Sequence, residues 1–145
     1  MPLSPWPPGT VVVLATGGAA PHAIPVSAAR AGGPRLVLIA LARTRTSLAR
    51  LRTEPRVCLV VLAEDDVAIS VFGTARVVDE ELTDGVVGVM VEVDRVQDHG
   101  RGTFVIDAGV GWHWTDATAQ DRDASVHAAL DRLAERLGPS AGQAG

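Results

Sequence analysis

The sequence predicts a mainly β protein, a small antiparallel barrel with few helices, and three observations carry that reading. Short β-branched runs recur, parted by Gly, Pro or acidic turns. Only two stretches have helical periodicity, one internal and one near the C-terminal end. The chain has 145 residues, 47% of them hydrophobic, which is ample for one core. Many short strands with one internal and one terminal helix fit a small β-barrel.

Residues 1–9 hold Pro2, Pro5, Pro7 and Pro8, so they are not helical and are expected to form a disordered lead-in. Residues 10–16 are β-branched and run into Gly17 and Gly18, a strand followed by a turn. Residues 22–30 read as a second strand, and Gly32, Gly33 and Pro34 turn the chain into a third at 35–42. This spacing is that of an antiparallel meander. The internal helix is predicted over 46–54, with Thr46 or Ser47 as its cap, Leu48 and Leu51 on one face and Pro55 as its stop.

A fourth strand is expected at 56–63, a tip at Glu64, Asp65 and Asp66, and a long strand at 67–78. Gly73 interrupts that strand, as a bulge or sharp bend would. Another strand follows at 86–97, and residues 103–107 and 112–114 continue the β pattern. Residues 121–137 form an amphipathic helix, with Val126, Ala129, Leu130, Leu133 and Leu137 on one stripe and Gly138 and Pro139 at its end. Its expected role is to pack on the barrel. Residues 10–138 read as one domain, and 139–145 as a disordered tail.

Five of the 13 basic residues fall in one stretch, namely Arg43, Arg45, Arg50, Arg52 and Arg56. Thr44, Thr46, Ser47 and Thr53 are interleaved with them, and Glu54 is the one acid. Guanidinium groups and hydroxyls at a strand-to-helix junction suit a phosphate. Arginine's planar fork engages two oxygens, and backbone amides point outward at a helix start. The expected contacts are Arg43, Thr44, Arg45, Thr46 and Ser47, with Arg50 in support. The chain has no lysine, asparagine or tyrosine, the bias of a GC-rich bacterial gene, so clustering rather than arginine identity carries this reading.

The formal net charge of −4 argues against general nucleic-acid binding, which needs a broad basic surface. Cys58 is the single cysteine and sits in an apolar strand, which agrees with a reducing compartment. With no signal-peptide pattern and no apolar run near membrane-helix length, the expectation is a cytoplasmic protein with no membrane partner. His22, His99, His113 and His127 lack metal-ligand spacing, so no metal is expected. Ser27, Ser47 and Ser70 lack a nucleophile-elbow context, which leaves serine hydrolysis without support.

The order of these pieces resembles the FMN-binding split β-barrel superfamily, the pyridoxamine 5′-phosphate oxidase-like flavoproteins. The carrying stretches are Pro-His-Ala-Ile-Pro-Val at 21–26, the strand at 35–42 with its Arg/Thr/Ser segment, Leu-Arg-Thr-Glu-Pro-Arg-Val at 51–57, and Val-Phe-Gly-Thr-Ala-Arg-Val at 71–77. The resemblance covers residues 10–80 well and the rest loosely. It implies a six-stranded antiparallel split barrel that binds FMN, with the flavin phosphate at the junction after the third strand. There the family's Ser-Arg-Lys element falls on Arg45, Thr46 and Ser47, so this chain lacks the lysine. The same likeness implies that the flavin ring lies near Pro25, Val26 and Ser27.

It also implies a homodimer with the cofactor between subunits, where Trp112 or Trp114 would reach the ring from the partner. The two indoles, two residues apart, would share one face of a strand with His113 opposite. The activity implied is that of a flavin-dependent oxidoreductase, with NAD(P)H or a small molecule as partner. Alternatives are a reductase using the deazaflavin F420, whose anionic tail would draw on Arg30, Arg35 and the 43–52 cluster, and a non-enzymatic flavin carrier or redox sensor.

Overall fold

The computed structural model describes residues 1–138; the tail expected at 139–145 lies outside them. Seven strands form one antiparallel sheet: β1 (Val12–Thr16), β2 (His22–Val26), β3 (Ala29–Gly33), β4 (Leu36–Ala42), β5 (Arg56–Ala63), β6 (Val67–Thr83) and β7 (Val86–Asp98). The helices are α1 (Thr46–Thr53) and α2 (Ala117–Leu137). The sheet order is β2-β1-β5-β6-β7-β4-β3.

Two corrections to the expected six-stranded barrel follow. The strand expected at 22–30 is two strands, because the chain leaves β2 after Val26 and re-enters the sheet at Ala29 on its other edge. The sheet is therefore seven-stranded and its hydrogen-bond ladder is not closed. It is nevertheless strongly rolled. In a flat seven-stranded sheet the edges would lie about 29 Å apart. Ser27 and Ala28 alone join them, and that link spans about 11 Å at most. The edges therefore approach each other at a seam between β2 and β3.

Period-2 alternation decides what fills the roll. Val12 and Leu14, Val37, Ile39 and Leu41, Val57, Leu59 and Val61, and Val87, Val89 and Val91 all point into one buried cluster, joined by Leu48 and Leu51 of α1. The other face of β4 carries Leu36, Leu38 and Ala40, which pack with Met90 of β7 against Val126, Leu130 and Leu133 of α2. That covering explains why β4 reads as an unbroken apolar run. It also means that α2 covers outward apolar surface of the long strands within the chain.

Gly73 sits at a register shift between β6 and β7, as the sequence reading expected. A Cβ there would fall 2.2 Å from the Glu92 carbonyl oxygen, so no other residue fits. Asp65 and Asp66 turn β5 into β6 with φ of 61° and 62°, a left-handed pair that matches strand twist.

The lead-in is not a loose tail. Trp6 is buried and its Nε1 donates to the Ala29 carbonyl at 3.0 Å, while Leu3 is also buried and its amide bonds to Pro34. The strand pattern expected at 103–107 and 112–114 is absent, since residues 99–116 form no strand. Ile106 and Asp66 exchange two hydrogen bonds, but glycines at 100, 102, 109 and 111 interrupt any ladder. Helix α2 starts at Ala117, four residues earlier than expected, because Asp116 caps it by accepting from the Thr118 amide. Among the described residues, no helix is long and apolar enough to cross a membrane.

Candidate functional site

The five clustered arginines have different fates. Arg52 forms a two-point pair with Glu80 at 3.1 and 2.8 Å, and Arg56 pairs with Glu54. These contacts raise both guanidinium pKa values and hold both carboxyls below their usual range. Arg50 lies over the β1–β2 turn, where Nε donates to Thr16 Oγ1 at 3.1 Å and Nη2 to the carbonyls of Gly17, at 2.8 Å, and Ala20. Gly18, with φ of 130°, gives that guanidinium room, for a Cβ there would come 3.0 Å from Nη2. Arg43 donates to the Glu80 carbonyl at 3.0 Å. Of the five, Arg45 alone has a side chain without a hydrogen-bond or ion-pair partner among the described residues.

Arg45 is the N-cap residue of α1, in place of the expected Thr46 or Ser47, and no side chain caps the helix. The first amides of α1 are therefore not taken by a cap. Thr44 and Thr46 are exposed beside it, without side-chain partners among the described residues. Ser47 differs from both. It is 1% exposed and its Oγ lies 3.1 Å from His22 Nε2, which turns it inward.

Arg45 faces a hollow of about 320 Å³ at the seam of the sheet. Its walls are Pro25, Val26, Ser27 and Ala28, then Ala40, Leu41 and Ala42 at the end of β4, with Val86, Trp114, Asp123 and Val126. Five of the residues expected at a cofactor site (Pro25, Val26, Ser27, Arg45 and Trp114) thus meet in one cavity. Edge strand β2 pairs on one side only, leaving backbone donors and acceptors outside the ladder. Arg43, Arg50 and Trp112 do not line it. A second hollow of about 380 Å³, beside residues 7–10 and 108–112, has Glu64 as its only charged wall residue among the described residues and lacks this convergence.

Helix α2 does more than pack. Asp123 and Val126, three residues apart on one helical face, complete the cavity. Sequence reasoning placed Val126 on the core stripe and overlooked Asp123, though the spacing was there to find. Asp123 Oδ2 accepts from Trp114 Nε1 at 3.3 Å, which draws Trp114 to the cavity of the same chain. Trp112 and Trp114 meet edge to face, with ring centroids 5.3 Å apart and planes at 84°. They lie on irregular chain, so strand alternation does not apply, and His113 lines the same hollow as both indoles instead of facing away.

No protein-family model matches the sequence, and no curated protein is significantly similar to it. Solved structures do match. A Listeria innocua protein provisionally named a pyridoxamine 5′-phosphate oxidase aligns with 62% of this chain and 88% of its own, at 14% identity and a TM-score of 0.52. An NADH:FAD oxidoreductase of Streptomyces globisporus C-1027 aligns with 64% of this chain and 77% of its own, at 16% identity and a TM-score of 0.52. An F420 reductase aligns over 61% and 90%, at 14% identity and a TM-score of 0.53. The chain has the pyridoxamine 5′-phosphate oxidase-like fold, which is also that of flavin reductases and of an F420 reductase.

Proposed function

We propose that this chain binds FMN in the seam cavity and serves as a flavin-dependent oxidoreductase. The observation that carries this reading is the meeting of Arg45, the free edge of β2 at Pro25, Val26 and Ser27, and Trp114 around one hollow. Arg45 and the uncapped start of α1 suit the phosphate, with Thr44 and Thr46 as further donors. Backbone groups near Val26 and Ser27 suit the polar edge of the ring, and Trp114 its face. A bound flavin would supply the hydride chemistry, and the protein would hold it and exclude water. Ser47 and Arg50, tied to His22 and to the β1–β2 turn, hold the scaffold instead of the phosphate.

The cavity lies at the small end of the range for ligand pockets, which fits a cofactor shared with a second subunit. A homodimer is accordingly part of the proposal. Val13 of β1 and Leu62 of β5 are 38% and 50% exposed, on a stretch of sheet away from α2, and would be covered by the partner. The F420 alternative is less favoured. Arg30 and Arg35, which it would enlist, are held by Asp131 and by the Val93 carbonyl.

The test is to extract and identify the chromophore of the purified protein, then titrate the stripped protein with FMN and with F420. Tight binding of FMN, a dimer by sedimentation at micromolar concentration and NAD(P)H turnover are expected. Binding of F420 alone selects the deazaflavin reading, and binding without turnover selects a carrier. Failure of both cofactors to bind overturns the proposal.

A further inference from the structure

Beside the seam cavity lies a separate hollow of about 380 Å³ with a different chemistry. Trp112 and Trp114 form its corner, their planes at 84°. Both indole N–H groups are already engaged, Trp112 by the Gly9 carbonyl at 2.8 Å and Trp114 by Asp123. The rings therefore offer a ligand their π surfaces and no donor. Each tryptophan is still 39% exposed, so those surfaces are reachable.

Asp123 supplies a charge. Its side chain is 22% exposed, and Oδ2 accepts from Trp114 Nε1 and lies 3.5 Å from His127 Nε2. Oδ1 has no protein partner among the described residues. No arginine lines the hollow, and His113 and His127 are its other titratable walls. Indole faces attract cations through their quadrupole, and a nearby carboxylate adds to that attraction.

We propose that this hollow is a binding site for a small organic cation of the quaternary-ammonium or N-alkylpyridinium class. The proposal stands on the walls of this hollow and does not depend on a flavin in the neighbouring cavity. Trp114 and Asp123 belong to both, so an occupant of one site would be felt at the other.

The probe is choline, followed by indole fluorescence of the full-length protein, with 3,3-dimethylbutan-1-ol as its neutral isostere. Choline is expected to give saturable quenching, with the isostere binding about tenfold more weakly or worse. Trp112→Leu removes one aromatic wall that is not itself a wall of the seam cavity, and Asp123→Asn removes the charge. Each should weaken choline at least about fivefold in protein of unchanged circular dichroism. Equal binding of choline and its isostere to the native protein, or no saturation by choline, overturns the proposal. Because the native protein alone decides that comparison, a variant that fails to fold does not obscure it.

Discussion

Ser47 Oγ lies 3.1 Å from His22 Nε2, joining the first turn of α1 to the start of β2 across 25 residues of sequence. With Ser47 1% exposed, this bond replaces water for its hydroxyl. Ser47→Ala and His22→Ala should each cost about 1 kcal/mol. Urea unfolding of both single variants and the double variant measures their coupling. Fully additive losses would show that the two side chains are independent.

Arg45→Ala should weaken FMN binding about ten- to a hundredfold, since a charge-assisted bond is worth ~1.5–3 kcal/mol. Arg52→Ala should leave affinity unchanged, because Glu80 already holds that guanidinium. Arg43, resting on the Glu80 carbonyl, should fall between them. A fluorescence titration that ranks Arg52 above Arg45 would move the phosphate away from the start of α1.

Gly73→Ala should destabilise the fold by about 3 kcal/mol, the upper end of overpacking costs, because backbone cannot retreat from a Cβ 2.2 Å away. Gly85→Ala is a useful contrast. Beyond its chain neighbours, no atom of the described residues lies within 4 Å of a Cβ there, and its φ of 73° is what resists the change. Thermal unfolding of the two variants should separate a steric cost from a smaller conformational one.

Asp79 accepts from Arg136 at 2.9 Å and from the Glu81 amide at 3.0 Å, tying the end of α2 to β6. The Arg136 guanidinium, with help from that amide, holds the Asp79 carboxyl below its ordinary range. A carboxylate with a lowered native pKa stabilises the fold above its unfolded value, near 4, and loses that contribution as pH falls through the native value. Asp79→Asn should therefore be less stable than the parent at pH 7, by roughly 0.2–1 kcal/mol, with the gap closing toward pH 3. Denaturant midpoints at the two pH values check this, and a gap that persists at acid pH would assign the loss to packing.

The sequence by itself determined the strands at 56–63 and 86–97 to within a residue, the bulge at Gly73 and the stripe on α2. Each depends on local alternation, helical spacing or a single backbone constraint, and neighbours in sequence carry all of these. It also determined that charge and hydroxyls gather after β4. Only the tertiary structure decided which arginine is free, because Glu80 lies 28 residues from Arg52, and Thr16 lies 34 from Arg50. Likewise, Ser27 and Ala28 read as the middle of one strand, yet they cross from one edge of the sheet to the other. No local propensity distinguishes an extended residue within a ladder from one that leaves it. Trp6 and the two later tryptophans tell the same story. Proline around Trp6 dictated irregular backbone there, whereas the strand expected at 112–114 did not form, and long-range bonds to Ala29, Gly9 and Asp123 decided where the indoles rest.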